Sequence, residues 1–315
     1  MAEDVTTVKG INHVGLSVHD LDRAVSFYTS VMPLELADRC TIGGGPGTVG
    51  VDRLPIEPHD VALLKGPNAY LELLEVGPAR PGETTPLAVE GPGLTHVCFQ
   101  SPQHAQLYSR FIEHGATPVS SDDAPIDLNR AGVRYGYARD IDGIMFEVEQ
   151  LDEPRFGDPI WIAHVALVSP DIDRLVEFYE DVLGVAPYGR ANKVTGPRVD
   201  QVTGLDGARI RAAWFNAGNM VLELWEYIVP ATPEPTEPRA FVAPGYNRFV
   251  FEVADFDREV GRLSGHGVEF VTEPVEVDGS REIYAEDPDG NLFGLLQLPA
   301  DSEMSLDRLG RIDWM

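Results

Sequence analysis

One segment near the start of the chain returns 151 residues later, and this repeat constrains the fold more than any other feature. INHVGLSVHDLDRAVSFY, beginning at Ile11, is matched by IAHVALVSPDIDRLVEFY, so that His13 corresponds to His164 and Tyr28 to Tyr179. The same offset relates LEL at 71–73 to LEL at 222–224. A repeat that keeps its register over about sixty residues predicts two equivalent halves.

Each half contains two modules, so the chain order is 1-2-1′-2′. GLTHVCFQS at 93–101 is matched by GYNRFVFEV at 245–253, and each module is predicted as a strand, a helix and about three strands. In module one, Asp20 is expected to cap a helix over 21–32. We therefore predict an α+β fold of four βαβββ modules. Two tandem domains are expected at 8–152 and 158–299, followed by a polar C-terminal tail at 300–315.

Length, charge and cysteine content narrow the function. The 315 residues suit two domains of about 150 each. A net charge of −27 argues against nucleic acid or an anionic membrane as a partner. Two cysteines make no disulfide framework, no long apolar run predicts a membrane span, and MAEDVTTVKG does not resemble a signal peptide. A cytoplasmic protein is expected.

Four polar residues on predicted strands are candidates for a metal site. His13 and His96 lie in the first strands of modules one and two, and Glu72 and Glu147 lie in the last strands. Their neighbours are apolar and face the other way, so these four side chains share one face of the sheet. A carboxylate buried there is costly unless it is paired or bound to a cation. Two imidazoles and two carboxylates suit a divalent ion.

The motifs resemble the vicinal oxygen chelate superfamily, which includes glyoxalase I, methylmalonyl-CoA epimerase, extradiol dioxygenases and bleomycin-resistance proteins. The resemblance covers about residues 10–298 and rests on NHVGLSVHDLDRAVSFY, LEL, LTHVCF and DIDGIMFEV. It implies two glyoxalase-like domains and one divalent ion (Zn, Ni, Co, Mn or Fe), with the ligands His13, Glu72, His96 and Glu147. It also implies a small-molecule substrate, and it leaves a homodimer open.

The second half departs from this pattern. His164 and Glu223 remain, but Arg248 stands where the second histidine is expected and Gly294 where the last glutamate is expected. Arginine carries a fixed positive charge and cannot ligate a cation. We therefore predict one complete metal site and one lost site.

Which modules pair is open at this point. If neighbours pair, the complete site lies in 8–152; if module two pairs with module three, the set is His96, Glu147, His164 and Glu223. We favour the pairing of neighbours, because it makes two self-contained domains. Both arrangements leave one complete site and one defective site.

Three functional classes fit the motifs. A metal held by two His and two Glu can polarise a carbonyl and stabilise an enediolate, and Glu147 or Glu72 can then move a proton on the adjacent carbon. This favours a lyase or isomerase of the glyoxalase and epimerase kind. The alternatives are an extradiol dioxygenase using Fe(II), which needs only two His and one carboxylate, and a metal-free binding protein. In the second domain, Trp214, Trp225 and Arg248 are conceivable ligand contacts, although packing and surface roles are the favoured interpretation.

Overall fold

The computed structural model describes residues 5–42, 58–78, 87–121, 125–154, 159–235 and 241–310. The predicted link at 152–159 and the predicted tail at 300–315 lie partly outside these ranges. Within them, no helix combines the length and the apolar character needed to cross a membrane.

The described residues of the first half form nine strands and two α-helices. Module one has strands β1 (Val8–Val18), β2 (Glu35–Ile42), β3 (His59–Lys65) and β4 (Tyr70–Glu75), and helix α1 (Leu21–Val31). Module two has strands β5 (Gly93–Pro102), β6 (Thr117–Pro118), β7 (Ile126–Asp127), β8 (Val133–Arg139) and β9 (Met145–Leu151), helix α2 (Leu107–Glu113) and a 3-10 turn at Gln103–Ala105.

In the second half, the part of the chain that the structure describes forms eight strands and three α-helices. Module three has strands β10 (Trp161–Val168), β11 (Gly189–Thr195), β12 (Arg209–Asn216) and β13 (Val221–Val229), and helices α3 (Ile172–Leu183) and α4 (Pro197–Thr203). Module four has strands β14 (Gly245–Val253), β15 (Val275–Val277), β16 (Ser280–Glu286) and β17 (Leu292–Gln297), helix α5 (Phe256–Gly265) and a final 3-10 turn at Leu306–Arg308.

Aspartate caps the first helix of three modules. The carboxylates of Asp20, Asp171 and Asp255 each accept a hydrogen bond from the backbone N–H three residues later, at 2.8, 3.2 and 3.1 Å. This arrangement satisfies a free N–H group at the start of each helix. The predicted cap at Asp20 is confirmed, and α1 ends at Val31, one residue before the predicted end.

The strands form two curved sheets, and each sheet combines two modules. The eight-stranded sheet has the order β15-β16-β17-β14-β1-β4-β3-β2, and the nine-stranded sheet has the order β11-β12-β13-β10-β5-β9-β8-β6, with β7 beside β8. The first strands of two modules run antiparallel at each centre, β1 beside β14 and β5 beside β10. We call the two units the 1–4 lobe and the 2–3 lobe, after their modules.

The prediction that neighbouring modules pair is wrong. Module one hydrogen-bonds to module four and module two to module three, so residues 8–152 and 158–299 are each divided between two sheets. The α+β class, the four modules and the two repeated units are confirmed. The structure therefore adopts the second arrangement considered above.

Neighbouring modules associate instead through contacts between their helices and turns. Tyr28 of α1 donates a hydrogen bond to Asp140, in the turn before β9, at 2.8 Å. The second half repeats this contact, since Tyr179 of α3 donates to Asp287 at 2.9 Å. A single cluster of buried apolar residues extends through all four modules. This shared core holds neighbouring modules together without pairing between their strands. The first strand of each module is therefore free to pair with a strand from the other half of the chain.

Two asparagines, also 151 residues apart, join the lobes. Asn68 of the 1–4 lobe donates to the backbone oxygen of Ile162 at 2.8 Å and accepts from its N–H at 3.2 Å. Asn219 of the 2–3 lobe makes the corresponding two bonds to Ile11, both at 2.8 Å. Each lobe thus fixes the backbone of the first strand of the other half.

The described part of the polar tail packs on the 1–4 lobe. Glu252 of β14 accepts hydrogen bonds from the Ser305 hydroxyl at 2.6 Å and from the Leu306 N–H at 2.8 Å. Asn12 of β1 donates to the backbone oxygen of Met304 at 3.0 Å. Residues 300–310 therefore make an intramolecular contact.

Candidate metal centre

The 2–3 lobe gathers four polar side chains from four adjacent strands. In sheet order they are Glu223 on β13, His164 on β10, His96 on β5 and Glu147 on β9. All four are buried, with exposed fractions of 2–5%. One nitrogen or oxygen atom from each residue lies within 4.8 Å of the others, which is compact enough to hold a metal ion.

The closest atoms of the cluster converge at ion-pair distances without the angles of ordinary hydrogen bonds. His164 Nε2 lies 2.9 Å from Glu147 Oε2 and 3.1 Å from Glu223 Oε2, and His96 Nε2 lies 3.5 Å from Glu147 Oε2. Among the described residues, both Nε2 atoms and Glu223 Oε2 lack a partner with hydrogen-bond geometry. Buried polar atoms rarely remain unsatisfied, and these are the atom types that bind zinc-like ions. The arrangement fits a divalent cation.

Neighbouring side chains orient two of the four residues. The Thr95 hydroxyl donates to the backbone oxygen of Ala166 at 3.3 Å, so it can accept the Nδ1–H of His96 at 3.0 Å. This contact favours the tautomer whose Nε2 lone pair faces the cluster. Trp214 Nε1 donates to Glu223 Oε1, which leaves Oε2 for a cation.

A shift in strand register orients the side chain of His164. Between Ile162 and His164 the pairing of β10 with β5 shifts by one residue, because Ala163 has no partner on β5. An extra residue of this kind redirects the side chain that follows it. The backbone of Ile162 is held on the other side by Asn68. His164 is therefore positioned partly by the opposite lobe.

Burial and mutual proximity set the charges of the cluster. Burial opposes the ionisation of Glu147, but His164 and His96 outweigh it and lower the pKa of Glu147 to about 2. Burial also opposes the charge on His164, but Glu223 and Glu147 raise its pKa to about 10. The proton on His164 thus compensates the carboxylates, and a divalent ion bound by the same atoms would replace it.

Glu149 is a further acid beside the cluster. It lies two residues after Glu147 on the same face of β9 and accepts a hydrogen bond from Gln100 Nε2 at 2.6 Å. Trp161 Nε1 in turn donates to Gln100 Oε1 at 3.1 Å. Burial raises the pKa of Glu149 to about 7. Its position on the face of Glu147 was visible in the sequence, but its partners come from other strands.

A cavity of about 750 Å³ opens onto the cluster. Glu147, His164 and Glu223 form part of its wall. Ligand pockets commonly occupy about 300–1,000 Å³, so the volume suits a small organic molecule. Trp214 and Trp225 also line it, so both rings are placed where they can contact a ligand, and a ligand contact by either residue stays a prediction.

The equivalent place in the 1–4 lobe holds an arginine. The Arg248 guanidinium forms an ion pair with Glu72 and donates to the Tyr284 hydroxyl at 3.1 Å and to Asn247 Oδ1 at 3.0 Å. It also lies 4.8 Å from the ring centroid of Phe241. Burial opposes the charge of Glu72, but Arg248 outweighs it and lowers the Glu72 pKa. A fixed cation therefore neutralises the glutamate that a metal ion would otherwise bind.

The remaining two positions of the 1–4 lobe also differ. A side chain at Gly294 would begin 2.9 Å from Tyr284 Cε1, so the tyrosine ring occupies the place of a fourth ligand. His13 Nε2 is buried 3.9 Å from Glu72 Oε2 and has no hydrogen-bond partner among the described residues. Burial lowers the pKa of His13 to about 4, which keeps the ring neutral.

The predicted ligand set is therefore divided between the lobes. His96 and Glu147 meet His164 and Glu223 in the 2–3 lobe, whereas His13 and Glu72 meet Arg248 in the 1–4 lobe. The physical reason is the strand pairing, which sets β5 beside β10 and β1 beside β14. Glu72 cannot act beside His96 in this arrangement. Its repeat equivalent, Glu223, takes that place.

Comparison with known proteins agrees with the fold. A model of the Glyoxalase/Bleomycin resistance protein/Dioxygenase superfamily matches residues 10–148 and again 161–295. Glyoxalase I from Zea mays has a similar structure, with a TM-score of 0.62, 19% sequence identity and coverage of 91% of this chain and 92% of that one. At this identity the likeness concerns the fold alone.

Two proteins with similar sequences carry different activities in their names. A lactoylglutathione lyase from Arabidopsis thaliana is 26% identical over 185 residues, which are 55% of this chain and 54% of that protein. The alignment thus spans about half of the plant protein. An ethylmalonyl-CoA/methylmalonyl-CoA epimerase from Cereibacter sphaeroides is 27% identical over 146 residues, which are 45% of this chain and 97% of the epimerase.

Proposed function

Because the chain belongs to the Glyoxalase/Bleomycin resistance protein/Dioxygenase superfamily, we propose that it is a metal-dependent lyase or isomerase that moves a proton on carbon next to a carbonyl. The observation that carries this proposal is the set of unpartnered atoms on His96, His164 and Glu223, which meet Glu147 at the wall of the cavity. The 2–3 lobe is the proposed active lobe.

The four residues of the cluster have distinct roles in this proposal. His96, Glu147, His164 and Glu223 would hold one divalent ion, which would polarise the substrate carbonyl and stabilise the negative charge that develops on its oxygen. Glu147 and Glu223 face the cavity, so either carboxylate can accept a proton from a substrate carbon and return it. Trp214 holds one oxygen of Glu223 and limits its rotation.

The number of carboxylates favours proton transfer over ring cleavage. An iron-dependent dioxygenase uses two histidines and one carboxylate and keeps its other positions open for oxygen and substrate. Here Glu223 Oε2 is a second carboxylate oxygen directed at the same point as Glu147 Oε2, since both lie near His164 Nε2. A four-ligand set leaves one or two positions, which suits a carbonyl substrate.

The test is deuterium exchange followed by proton NMR. The protein, loaded in turn with Zn, Ni, Co, Mn or Fe, is incubated without oxygen in D₂O with 2-hydroxyacetophenone or hydroxyacetone. We expect metal-dependent exchange of the C–H next to the carbonyl, abolished in Glu147→Gln and retained in His13→Ala. In a separate incubation of the iron-loaded protein with a catechol in air, turnover that requires both iron and oxygen, without any exchange in the first assay, would instead identify a dioxygenase.

A further inference from the structure

Apart from His164, the charged side chains in the described lining of the cavity are all acidic. Its described lining includes the carboxylates Glu147, Glu149, Asp152, Glu153 and Glu223, and no lysine or arginine. A divalent ion at the cluster would offset two of these carboxylates, and Asp152 is paired with Arg134, which leaves two acidic side chains of the described lining without a cation. A phosphate or carboxylate on a ligand is normally bound by arginine, lysine or a helix N-terminus. An anionic group would here lose its hydration beside like charges.

The arginine between two cavity-lining residues of β8 is already engaged. Arg134 lies on β8 between the cavity-lining residues Val133 and Tyr135, so its side chain leaves the opposite face of the strand. Its guanidinium pairs with Asp152, with Nε 2.8 Å from the carboxylate. This arginine is therefore not directed at a ligand in the cavity.

Aromatic rings form a second part of the wall, beside aliphatic side chains. Three of the four tryptophans of the chain line the cavity, together with three tyrosines: Trp161, Trp214, Trp225, Tyr135, Tyr137 and Tyr188. Tyr188 is 53% exposed, whereas Tyr137 is 1% exposed, so the aromatic surface includes both solvent-exposed and deeply buried rings. Such faces pack well against flat apolar groups and attract cations.

One hydrogen-bond donor in the wall has no partner. The Nε1 atom of Trp225 is buried and unpaired among the described residues, although the side chain lines the cavity. Trp225 lies two residues after Glu223 on β13 and so shares its face, about 7 Å further along the strand. An indole N–H can only donate, so an acceptor on a ligand that reaches this atom would satisfy it.

We propose that this cavity takes an uncharged or cationic small molecule with a flat apolar body and an acceptor oxygen, and that it rejects molecules with a phosphate or carboxylate tail. This inference rests on the proposed function, because the carbonyl end of the molecule is placed at the metal cluster. The carboxylates, the aromatic wall and the free indole N–H together define the substrate class.

The test uses three metal-chelating probes with the same benzohydroxamate core and different groups at the para position: carboxamide, carboxylate and aminomethyl. The carboxamide and the carboxylate have nearly the same shape and differ in charge. Binding to the zinc-loaded protein is followed by quenching of tryptophan fluorescence. We expect the carboxylate to bind at least tenfold more weakly than the carboxamide, and the aminomethyl probe to bind at least as tightly as the carboxamide.

The outcomes separate this inference from the proposed function. Equal or tighter binding of the carboxylate probe would overturn the substrate class while leaving the metal site intact. Probes that bind equally with and without zinc would contradict the metal site. The relative affinities of the anionic, neutral and cationic probes would still test whether the cavity wall selects ligands by charge. If neither the carboxamide nor the aminomethyl probe binds, the inference fails.

A substitution at the opening of the cavity tests directly whether the acidic lining is what rejects anionic ligands. Asn129 is exposed and lines the opening, so substitutions there should leave the core intact. Asn129→Arg is expected to strengthen binding of the carboxylate probe severalfold at low salt and to leave carboxamide binding unchanged. Asn129→Gln is the uncharged control. An unchanged preference in Asn129→Arg would show that charge does not select the ligand.

Discussion

The two lobes carry a glutamate at the same strand position, Glu223 or Glu72, and each lobe compensates its negative charge differently. In the 2–3 lobe, two imidazoles and two carboxylates leave unpartnered atoms around one point beside a large cavity. In the 1–4 lobe, Arg248 reaches Glu72, and Tyr284 covers the place next to Gly294. A buried glutamate at this position therefore needs a cation. A guanidinium supplies it permanently in one lobe, and the other lobe keeps the atoms that suit a metal ion.

The largest expected difference between the lobes comes from removing equivalent carboxylates. Glu223→Gln should weaken metal binding by more than about 100-fold, since losing an outer partner of a ligand alone costs about 10–100-fold. Glu72→Gln, at the equivalent position, should leave metal binding unchanged while destabilising the fold, because Arg248 loses its partner. Competition with a chelator measures both affinities. Equal losses in the two variants would contradict the assignment of the lobes.

The second expected effect is on stability. Arg248→Ala leaves Glu72 buried without its cation, and we expect it to lower the free energy of unfolding by about 3–5 kcal/mol. Arg39→Ala, which breaks the exposed pair with Asp22, should cost only about 0.2–1 kcal/mol. Urea unfolding measures both. A cost for Arg248→Ala as small as that for Arg39→Ala would show that the guanidinium does not substitute for a metal ion.

A double variant sharpens this result. Arg248→Met with Glu72→Leu removes both charges of the buried pair and should recover most of the stability lost in Arg248→Ala, since apolar replacement of a buried pair is often neutral. The metal content of the chain should be unaffected. A double variant as unstable as Arg248→Ala would mean that the arginine stabilises the lobe by other contacts.

The two interlobe asparagines offer a matched pair with a smaller effect. Asn68→Ala and Asn219→Ala each remove equivalent hydrogen bonds, and each should cost about 1–3 kcal/mol of stability. Only Asn68 holds the backbone beside His164, so only Asn68→Ala should weaken metal binding, by about 10–100-fold. Similar metal affinities in the two variants would show that Asn68 does not position His164 for metal binding.

The smallest expected effect concerns the orientation of His96. Thr95→Val keeps the shape of the side chain but removes the acceptor of the His96 Nδ1–H, and we expect metal affinity to fall about tenfold. Ser17→Ala removes a buried hydroxyl from the 1–4 lobe and is the control, with no expected change in metal binding. If Thr95→Val binds the ion as tightly as the unaltered protein, Thr95 does not set the tautomer.

Much of this architecture could be predicted from the sequence, because it depends on local patterns. The 151-residue offset predicted the repeated halves, alternation predicted the faces of the strands, and Asp20 predicted a helix start. The chemistry of the candidate ligands followed from residue type, including the inability of Arg248 to bind a cation. These features need no knowledge of which modules meet.

The pairing of modules could not be read in the same way, because both arrangements satisfy every local pattern. Each leaves one complete set of ligands, and each gives Arg248 a glutamate partner, either Glu72 or Glu223. The choice depends on long-range contacts, such as the bond from Tyr28 to Asp140 between neighbours. Asn68 and Asn219 are polar residues at the same offset as the histidines, but the offset alone does not show which strands they contact.

The most direct test of the account is the metal content of purified His164→Ala, His96→Ala and His13→Ala proteins, measured after loading with zinc and removal of the free ion. The account predicts one ion per chain in the unaltered protein and in His13→Ala, and none in His164→Ala or His96→Ala. A full ion in His164→Ala together with its loss from His13→Ala would contradict the assignment of the metal site to the 2–3 lobe.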